Sequence, residues 1–164
     1  MHVPWLACPI LTPFSPSSRQ EKLGDLQSFP TLEHAQTYAE NTASSLFYLT
    51  LESAGYRSVS FDHAASHLGK AVGLTTIIRG TPYHIKERQL LIPVELLTKH
   101  NVVQEDIFRG EVSTNFVDAV FDLAVAANDQ LMTARMQKNQ VPKEATHLLL
   151  PAVMPLSNLC PGSF

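Results

Sequence analysis

Apolar residues return every three or four positions in several segments of the chain, which is the spacing of α-helices that bury one face. Three long helices are predicted: Thr31–Ala54, Phe61–Arg79 and Asn115–Gln137. Their predicted N-caps are Thr31, Ser60 and Thr114. Gly55 should end the first helix in the left-handed conformation. No segment has the alternating pattern of a strand, so the sequence predicts an all-α fold.

Small residues occupy the middle of the first two predicted helices. Ala43, Ser44 and Ser45 lie in the first, and Gly69 and Gly73 lie four positions apart in the second. The distance between packed helices depends on the side chains at their contact, so small residues allow a close approach. We therefore expect each of these helices to have a close helical neighbour at these positions.

Length and charge exclude several function classes. The 164 residues, of which 45% are hydrophobic, are enough for one domain or part of one. A formal net charge of -3 argues against a nucleic-acid-binding protein, which needs a basic face. No run of about eighteen consecutive apolar residues predicts a membrane-spanning helix. Cys8 and Cys160 have no zinc-type spacing, and a disulfide between them is weakly supported without a secretory signal.

The segment 68–93 carries the strongest motif, LGKAVGLTTIIRGTPYHIKERQLLIP. It resembles the second signature of the squalene/phytoene synthase family, which reads roughly LGxAxQLTNxLRDxxxDxxxxRxYLP. In those enzymes the two aspartates hold magnesium against a prenyl diphosphate. Here Gly80 and His84 stand at the two positions. Glycine offers no ligand and imidazole suits zinc or copper better than magnesium, so we predict a protein that is not an enzyme and has no cofactor.

Pro82 lies between the two former aspartate positions. A proline inside a helix removes a backbone donor and its ring clashes with the preceding turn. We therefore expect the helix that arrives through Ile78 and Arg79 to kink or end near Pro82. The geometry that would align two carboxylates is expected to fail as well.

The R-x-TPYH segment resembles most closely a non-enzymatic branch of the family, the mitochondrial assembly factors for respiratory complex I (NADH dehydrogenase). The resemblance implies a partial isoprenoid-synthase-type helical bundle over residues 27–154, with a Pro-rich segment at 1–26 and a tail at 155–164. It also implies a role at the matrix side of the inner membrane. The implied partners are complex I subunits or other assembly factors, with peripheral contact to the membrane and no nucleic acid.

The first twenty residues are unlike a mitochondrial transit peptide, which is amphipathic and rich in Arg and Ser. They contain a single arginine, Arg19, and four prolines: Pro4, Pro9, Pro13 and Pro16. The sequence is therefore interpreted as a partial or alternatively started product that lacks its natural leader.

Arg79, Tyr83 and His84 are the candidate site residues. Arg79 is the family site residue that survives, and its planar fork could hold a phosphate or a lipid headgroup. The alternative is a structural salt bridge to a neighbouring helix. Tyr83 and His84 suit either a pocket lining or a partner surface. Phe47 replaces a family glycine, and we expect it to fill cavity space.

Two pairs of polar residues have the spacing of metal ligands. His63 and His67 lie four apart and could bind zinc, but no third ligand is evident, and the alternative is a pair of surface or core-capping residues. Asp118 and Asp122 are also four apart, and a solvated acidic face is the favoured interpretation. We predict no metal site.

The resemblance leads to one main hypothesis and two alternatives. The main hypothesis is a non-catalytic protein of complex I assembly. The first alternative, a prenyl-diphosphate condensing transferase, is disfavoured by Gly80 and His84. The second is an isoprenoid- or lipid-binding module that kept an apolar pocket without the metal, and Phe47 argues for a filled pocket.

Overall fold

The computed structural model describes residues 28–137 and 147–152. Within these ranges the regular structure is helical and contains no strand, so the all-α prediction is confirmed. The helices are α1 (Leu32–Ala39), α2 (Ser45–Ser53), α3 (Val59–Lys86), α4 (Val94–Lys99), α5 (Gln104–Phe108) and α6 (Thr114–Met136). A π-helical turn, Glu40–Ser44, joins α1 to α2, and a 3-10 helix spans His147–Ala152.

The first predicted helix begins and ends where the sequence signals lie. The Thr31 side chain accepts a hydrogen bond from the His34 backbone nitrogen, as an N-cap does. Gly55 follows the helix with φ 84, a conformation that a residue without Cβ adopts readily. The difference is the π-helical turn in the middle, where the Ser45 N–H donates to the carbonyl of Glu40.

The second predicted helix is longer than expected at both ends. It starts after Ser58 and not after Ser60, and the Ser58 side chain makes no capping bond. The predicted end of the helix near Pro82 is wrong, because α3 continues through Pro82 to Lys86. Pro82 is exposed and removes a single backbone donor, while the buried Thr81 hydroxyl donates to the Ile77 carbonyl at 3.0 Å. Packing of the long helix against its neighbours outweighs this local cost.

The close helix contacts predicted from small residues are confirmed. A Cβ atom added to Gly69 would lie 2.6 Å from the backbone nitrogen of Ser44, and one added to Gly73 would lie 2.9 Å from the Cα atom of Ala39. Both distances are shorter than any van der Waals contact. The two glycines therefore let α3 lie directly against α1 and the π-helical turn.

Two clusters of buried apolar side chains hold the helices together. The larger one joins α1, α3, α4, α5 and α6 around Leu74, Ile92 and Leu123. The smaller one contains Phe47 and Leu131 and joins α2 to α3 and the C-terminal half of α6.

The third predicted helix, α6, starts at Thr114, so its N-cap is Ser113 and not Thr114. The Ser113 side chain accepts a hydrogen bond from the Phe116 N–H at 3.2 Å.

Candidate functional site

A groove of about 380 Å³ lies beside the C-terminal half of α3. We call it the α3 groove. One wall comes from α1, the π-helical turn and the start of α2, and consists of Tyr38, Thr42, Ala43 and Leu46. The other wall comes from α3 and the segment after it, and consists of Gly73, Thr76, Ile77, His84 and Leu91. The motif that resembles the synthase signature therefore forms a wall of this groove.

The two former aspartate positions are aligned on α3. Because the helix continues through Pro82, residues 80 and 84 are one turn apart on the same face. A Cβ atom added to Gly80 would lie 3.1 Å from the Nε2 atom of His84, so the imidazole covers the space that a side chain at 80 would use. The expectation that the alignment fails is therefore wrong. What the site lacks is carboxylates.

Arg79, Tyr83 and His84 lie on the same turn and a half of α3 but differ in their surroundings. His84 lines the α3 groove, and its ring meets the Tyr83 ring edge-on, with centroids 5.7 Å apart. Tyr83 is 65% exposed. Arg79 is exposed and has no hydrogen bond or ion pair to any described residue, so the structural salt bridge considered for it is not observed in this part of the chain.

Phe47 does not line the α3 groove. Its side chain is 7% exposed and packs in the smaller core cluster with Leu51, Ala65 and Leu131. The residue fills space, as expected, but the space lies between α2, α3 and α6. The groove itself stays open beside Leu46 and Ile77.

The two pairs with metal-like spacing contact protein side chains. The His63 ring nitrogen Nδ1 lies 2.6 Å from Nε2 of Gln137, and Nδ1 of His67 lies 2.7 Å from Oε1 of Gln130, which joins α3 to α6. No group of three His, Cys, Asp or Glu side chains among the described residues could hold a metal ion.

Asp122 forms an ionic cluster with the end of α4. Its Oδ2 atom accepts from Nζ of Lys99 at 2.7 Å and lies 2.8 Å from Nε2 of His100. The hydrogen bond from Lys99, followed by that from His100, holds the pKa of Asp122 below its ordinary value. Asp118, the other member of the pair, is exposed and makes no ion pair within the described ranges.

Glu40 is the centre of a polar network that was not predicted from the sequence. It lies in the π-helical turn and accepts hydrogen bonds from the Tyr48 hydroxyl, from Ser44 Oγ at 3.0 Å and from Ser66 Oγ at 2.8 Å. Nζ of Lys70 lies 3.6 Å from the same carboxylate. Because Ser66 and Lys70 belong to α3, the network ties the turn to the helix that carries the candidate site.

Burial and the hydrogen bonds of this network shift the pKa of both Glu40 and Tyr48. Burial alone would raise the pKa of Glu40, but the hydrogen bonds from Tyr48, Ser66 and Ser44 outweigh it and lower the pKa. Burial, followed by the hydrogen bond to Glu40, raises the pKa of Tyr48 to about 12. Tyr48 is therefore a permanent donor at neutral pH and Glu40 a permanent acceptor.

Comparison with known proteins agrees with the motif in α3. Residues 19–157 match the sequence profile of the squalene/phytoene synthase family. The chain belongs to that family. The match covers the α3 groove, Gly80 and His84 as well as the helices that surround them.

Several curated relatives are also similar to most of this chain. A Rattus norvegicus protein named NADH dehydrogenase (ubiquinone) complex I, assembly factor 6 is 44% identical over 134 residues, 82% of this chain and 40% of that protein. The Homo sapiens protein of the same name is 40% identical over 134 residues, with the same coverage. A homolog from Dictyostelium discoideum is 36% identical over 135 residues, 81% of this chain and 38% of its own length.

These relatives are longer than the chain, which spans about 40% of the length of those it matches. No solved structure matches it significantly. Among the described helices, none is both long enough and apolar enough to cross a membrane.

Proposed function

We propose that this protein is a non-catalytic member of the squalene/phytoene synthase family that acts in the assembly of mitochondrial respiratory complex I, at the matrix side of the inner membrane. The observation that carries the proposal is the pair Gly80 and His84, aligned on α3 where the family's aspartates would bind magnesium. The relatives that are named complex I assembly factors support the assembly role.

The residues of the α3 groove and its surroundings support a role in binding a partner and not in catalysis. A diphosphate site needs hard oxygen ligands around magnesium, and glycine and imidazole do not supply them. The exposed cation of Arg79, the 65% exposed Tyr83 and the groove-lining His84 remain on one short stretch of helix. Exposed polar groups without a metal suit contact with complex I subunits or other assembly factors, or with a headgroup at the membrane surface.

The purified protein is expected to show no condensation of labelled farnesyl or geranylgeranyl diphosphate in the presence of magnesium. The reason is the absence of the carboxylate pair at 80 and 84. Product formation would be followed by chromatography of the radiolabelled lipid, with a metal-free reaction as the control. Turnover above that control would contradict the pseudoenzyme proposal.

The surface itself can be tested by restoring the aspartates with Gly80→Asp and His84→Asp together. Removing His84 clears the contact that would otherwise hinder a side chain at 80, so the variant should fold. It places two unpaired carboxylates on the proposed surface, and their repulsion and desolvation should weaken partner binding. Complex I levels on native gels, in cells lacking the gene and supplied with wild type or variant, give the measurement.

The matched control is Thr98→Asp with Val103→Asp, which adds the same charge at two exposed positions away from the α3 groove. The control should rescue complex I, and the Gly80→Asp/His84→Asp variant should not. Full rescue by both variants would exclude this surface from the function. Normal complex I in cells without the gene would refute the assembly role itself.

An isoprenoid- or lipid-binding role is a second candidate, favoured by the open α3 groove with Leu46, Ile77 and Leu91 on its walls. It predicts saturable binding of farnesol, which Leu46→Asp should abolish, because Leu46 lines the groove and is 67% exposed. A wild-type protein that binds farnesol no better than Leu46→Asp would remove this candidate and leave the assembly role untouched.

A further inference from the structure

The π-helical turn Glu40–Ser44 forms part of the wall of the α3 groove. Thr42 and Ala43 belong to the turn, and Leu46 follows it in the first turn of α2. All three side chains line the groove on the side opposite α3. The conformation of the turn therefore decides which side chains of this wall face the groove.

A π-helical turn accommodates one residue more than an α-helical turn, and such turns are rare and short. Each residue of an α-helix rotates the residues that follow it by about 100°. If the segment Glu40–Ser44 were α-helical, α2 would be rotated by about this angle relative to α1. Leu46 would then leave the groove wall, so the wall depends on contacts that hold the π-helical geometry.

The close approach of the turn to α3 does not by itself fix that geometry. Ser44 lies so near Gly69 that a Cβ atom added to the glycine would lie 2.6 Å from the Ser44 backbone nitrogen. Packing of this kind limits how near the two elements can lie, but it has little directional preference. A hydrogen bond weakens steeply when its angle departs from linear. The orientation of the turn therefore depends on its hydrogen bonds.

Glu40 makes directional contacts from the turn to both neighbouring helices. Its Oε2 atom accepts from Ser66 Oγ at 2.8 Å and lies 3.6 Å from Nζ of Lys70, and both of these residues belong to α3. Its Oε1 atom accepts from the Tyr48 hydroxyl on α2. The fully buried Ser44 donates to Oε2 at 3.0 Å from within the turn. One carboxylate thus connects the turn, α2 and α3.

We propose that Glu40 is a positioning residue for the α3 groove, whose carboxylate holds the turn in its π-helical geometry and keeps Thr42, Ala43 and Leu46 on the groove wall. The inference rests on the role that the proposed function gives to this groove, but it concerns the shape of the groove and not its occupant. Loss of the negative charge should let the turn adopt other conformations, so that this wall moves relative to α3.

The test measures the distance between two spin labels on opposite walls of the groove. The labels are attached at Leu46→Cys on α2 and Thr76→Cys on α3, both exposed, in the full chain with Cys8→Ser and Cys160→Ser. Dipolar broadening in continuous-wave electron paramagnetic resonance gives the distance distribution. With Glu40 intact the distribution should be narrow at pH 7. Glu40→Gln should broaden it without loss of helix content by circular dichroism.

Two further variants separate the role of the carboxylate from a general loss of stability. Glu52→Gln makes the same substitution on α2, at an exposed residue that pairs with Arg57 and does not line the α3 groove. It should leave the distance distribution unchanged. Ser66→Ala removes one partner of Glu40 on α3. It should broaden the distribution, and it tests the proposal even if Glu40→Gln fails to fold.

The pH dependence separates the charge of Glu40 from that of other groups. Lys70 and Tyr48 contact the carboxylate, Asp62 acts on Tyr48, and His84 lies on the opposite wall. These groups are present in wild type and in Glu40→Gln alike, so the difference between the two proteins reports on Glu40. The pKa of Glu40 is lowered, so this difference should be present at pH 7 and disappear as the pH falls through the lowered value.

Three outcomes would overturn the proposal. Unchanged distributions in both Glu40→Gln and Ser66→Ala would refute the positioning role, and a broad distribution in wild type at pH 7 would show that the turn is not held. A difference between wild type and Glu40→Gln that persists in acid would assign the effect to the shape of the side chain and not to its charge. The measurement needs neither complex I nor a groove ligand. Its failure would therefore leave the proposed function standing, and a failed complex I test would leave this result unaffected.

Discussion

Gly69→Ala should lower the free energy of unfolding by about 2 kcal/mol or more, although alanine is the better helix former by about 1 kcal/mol. The added Cβ atom would lie 2.6 Å from the backbone nitrogen of Ser44. A backbone atom cannot rotate away as a side chain can. The contact can be relieved only if α3 and the π-helical turn move apart, which loosens the packing around both.

Gly80→Ala is the matched control, because it makes the same change in the same helix. There the nearest atoms belong to the His84 imidazole, 3.1 Å away, which can turn aside. Its free energy of unfolding should therefore stay within about 1 kcal/mol of wild type or rise through helix propensity. Urea denaturation followed by circular dichroism gives both values. Equal stabilities for the two alanine variants would mean that the Gly69 contact is not tight in solution.

The sequence predicted this contact because small residues on a helix face leave room for a neighbouring backbone. Gly69 and Gly73 are four apart on a helix, so they share a face, and a face without side chains admits another backbone. The capping roles of Thr31 and Gly55 could also be predicted, because each depends on one side chain or one dihedral angle. These signals were predicted correctly, whereas the N-caps assigned to Ser60 and Thr114 were wrong, because the caps are Ser58 and Ser113.

The continuation of the helix through Pro82 and the polar network around Glu40 were not predicted, because both depend on tertiary packing. The cost of a proline in a helix is local, and whether α3 continues depends on how much its other residues gain from burial against α1 and α6. The π-helical turn has no sequence signature, and it lies where Ser44 contacts Gly69. Periodicity alone gives one uninterrupted helix there.

The sequence shows which residues stand at the candidate site, but it does not show how they are arranged. The absence of aspartates at 80 and 84 can be read from the motif, and so can the survival of Arg79. The position of His84 over Gly80, and the packing of Phe47 in the smaller cluster, follow from which way side chains point on three separate helices. A single sequence does not determine those directions.

Glu40→Gln should destabilise the protein by about 2 kcal/mol at pH 7, since hydrogen bonds to a charged group contribute more than neutral ones. The amide keeps the size of the side chain but can offer a single acceptor oxygen. It cannot serve the Tyr48 hydroxyl on one oxygen and Ser44 and Ser66 on the other, as the carboxylate does. It also loses the attraction to Lys70.

The difference between wild type and Glu40→Gln should depend on pH. The pKa of Glu40 is lowered in the folded protein from its ordinary value of 4.5, so the folded state favours the ionised form. That contribution is complete above the unfolded pKa and is lost as the pH falls through the folded pKa. Chemical denaturation at a series of pH values should therefore show a constant gap down to about pH 5 and a shrinking gap below it.

Asp122→Asn provides the comparison, since the pKa of Asp122 is also lowered, chiefly by the hydrogen bond from Lys99. Lys99 is exposed and the pair sits at the surface, where ion pairs contribute little to stability. Its loss should change the unfolding free energy much less than Glu40→Gln.

A difference in unfolding free energy between wild type and Glu40→Gln that stays constant into strongly acidic solution would contradict the role of the charge. In that case the shape of the side chain, and not its ionisation, would be what joins the π-helical turn to α3.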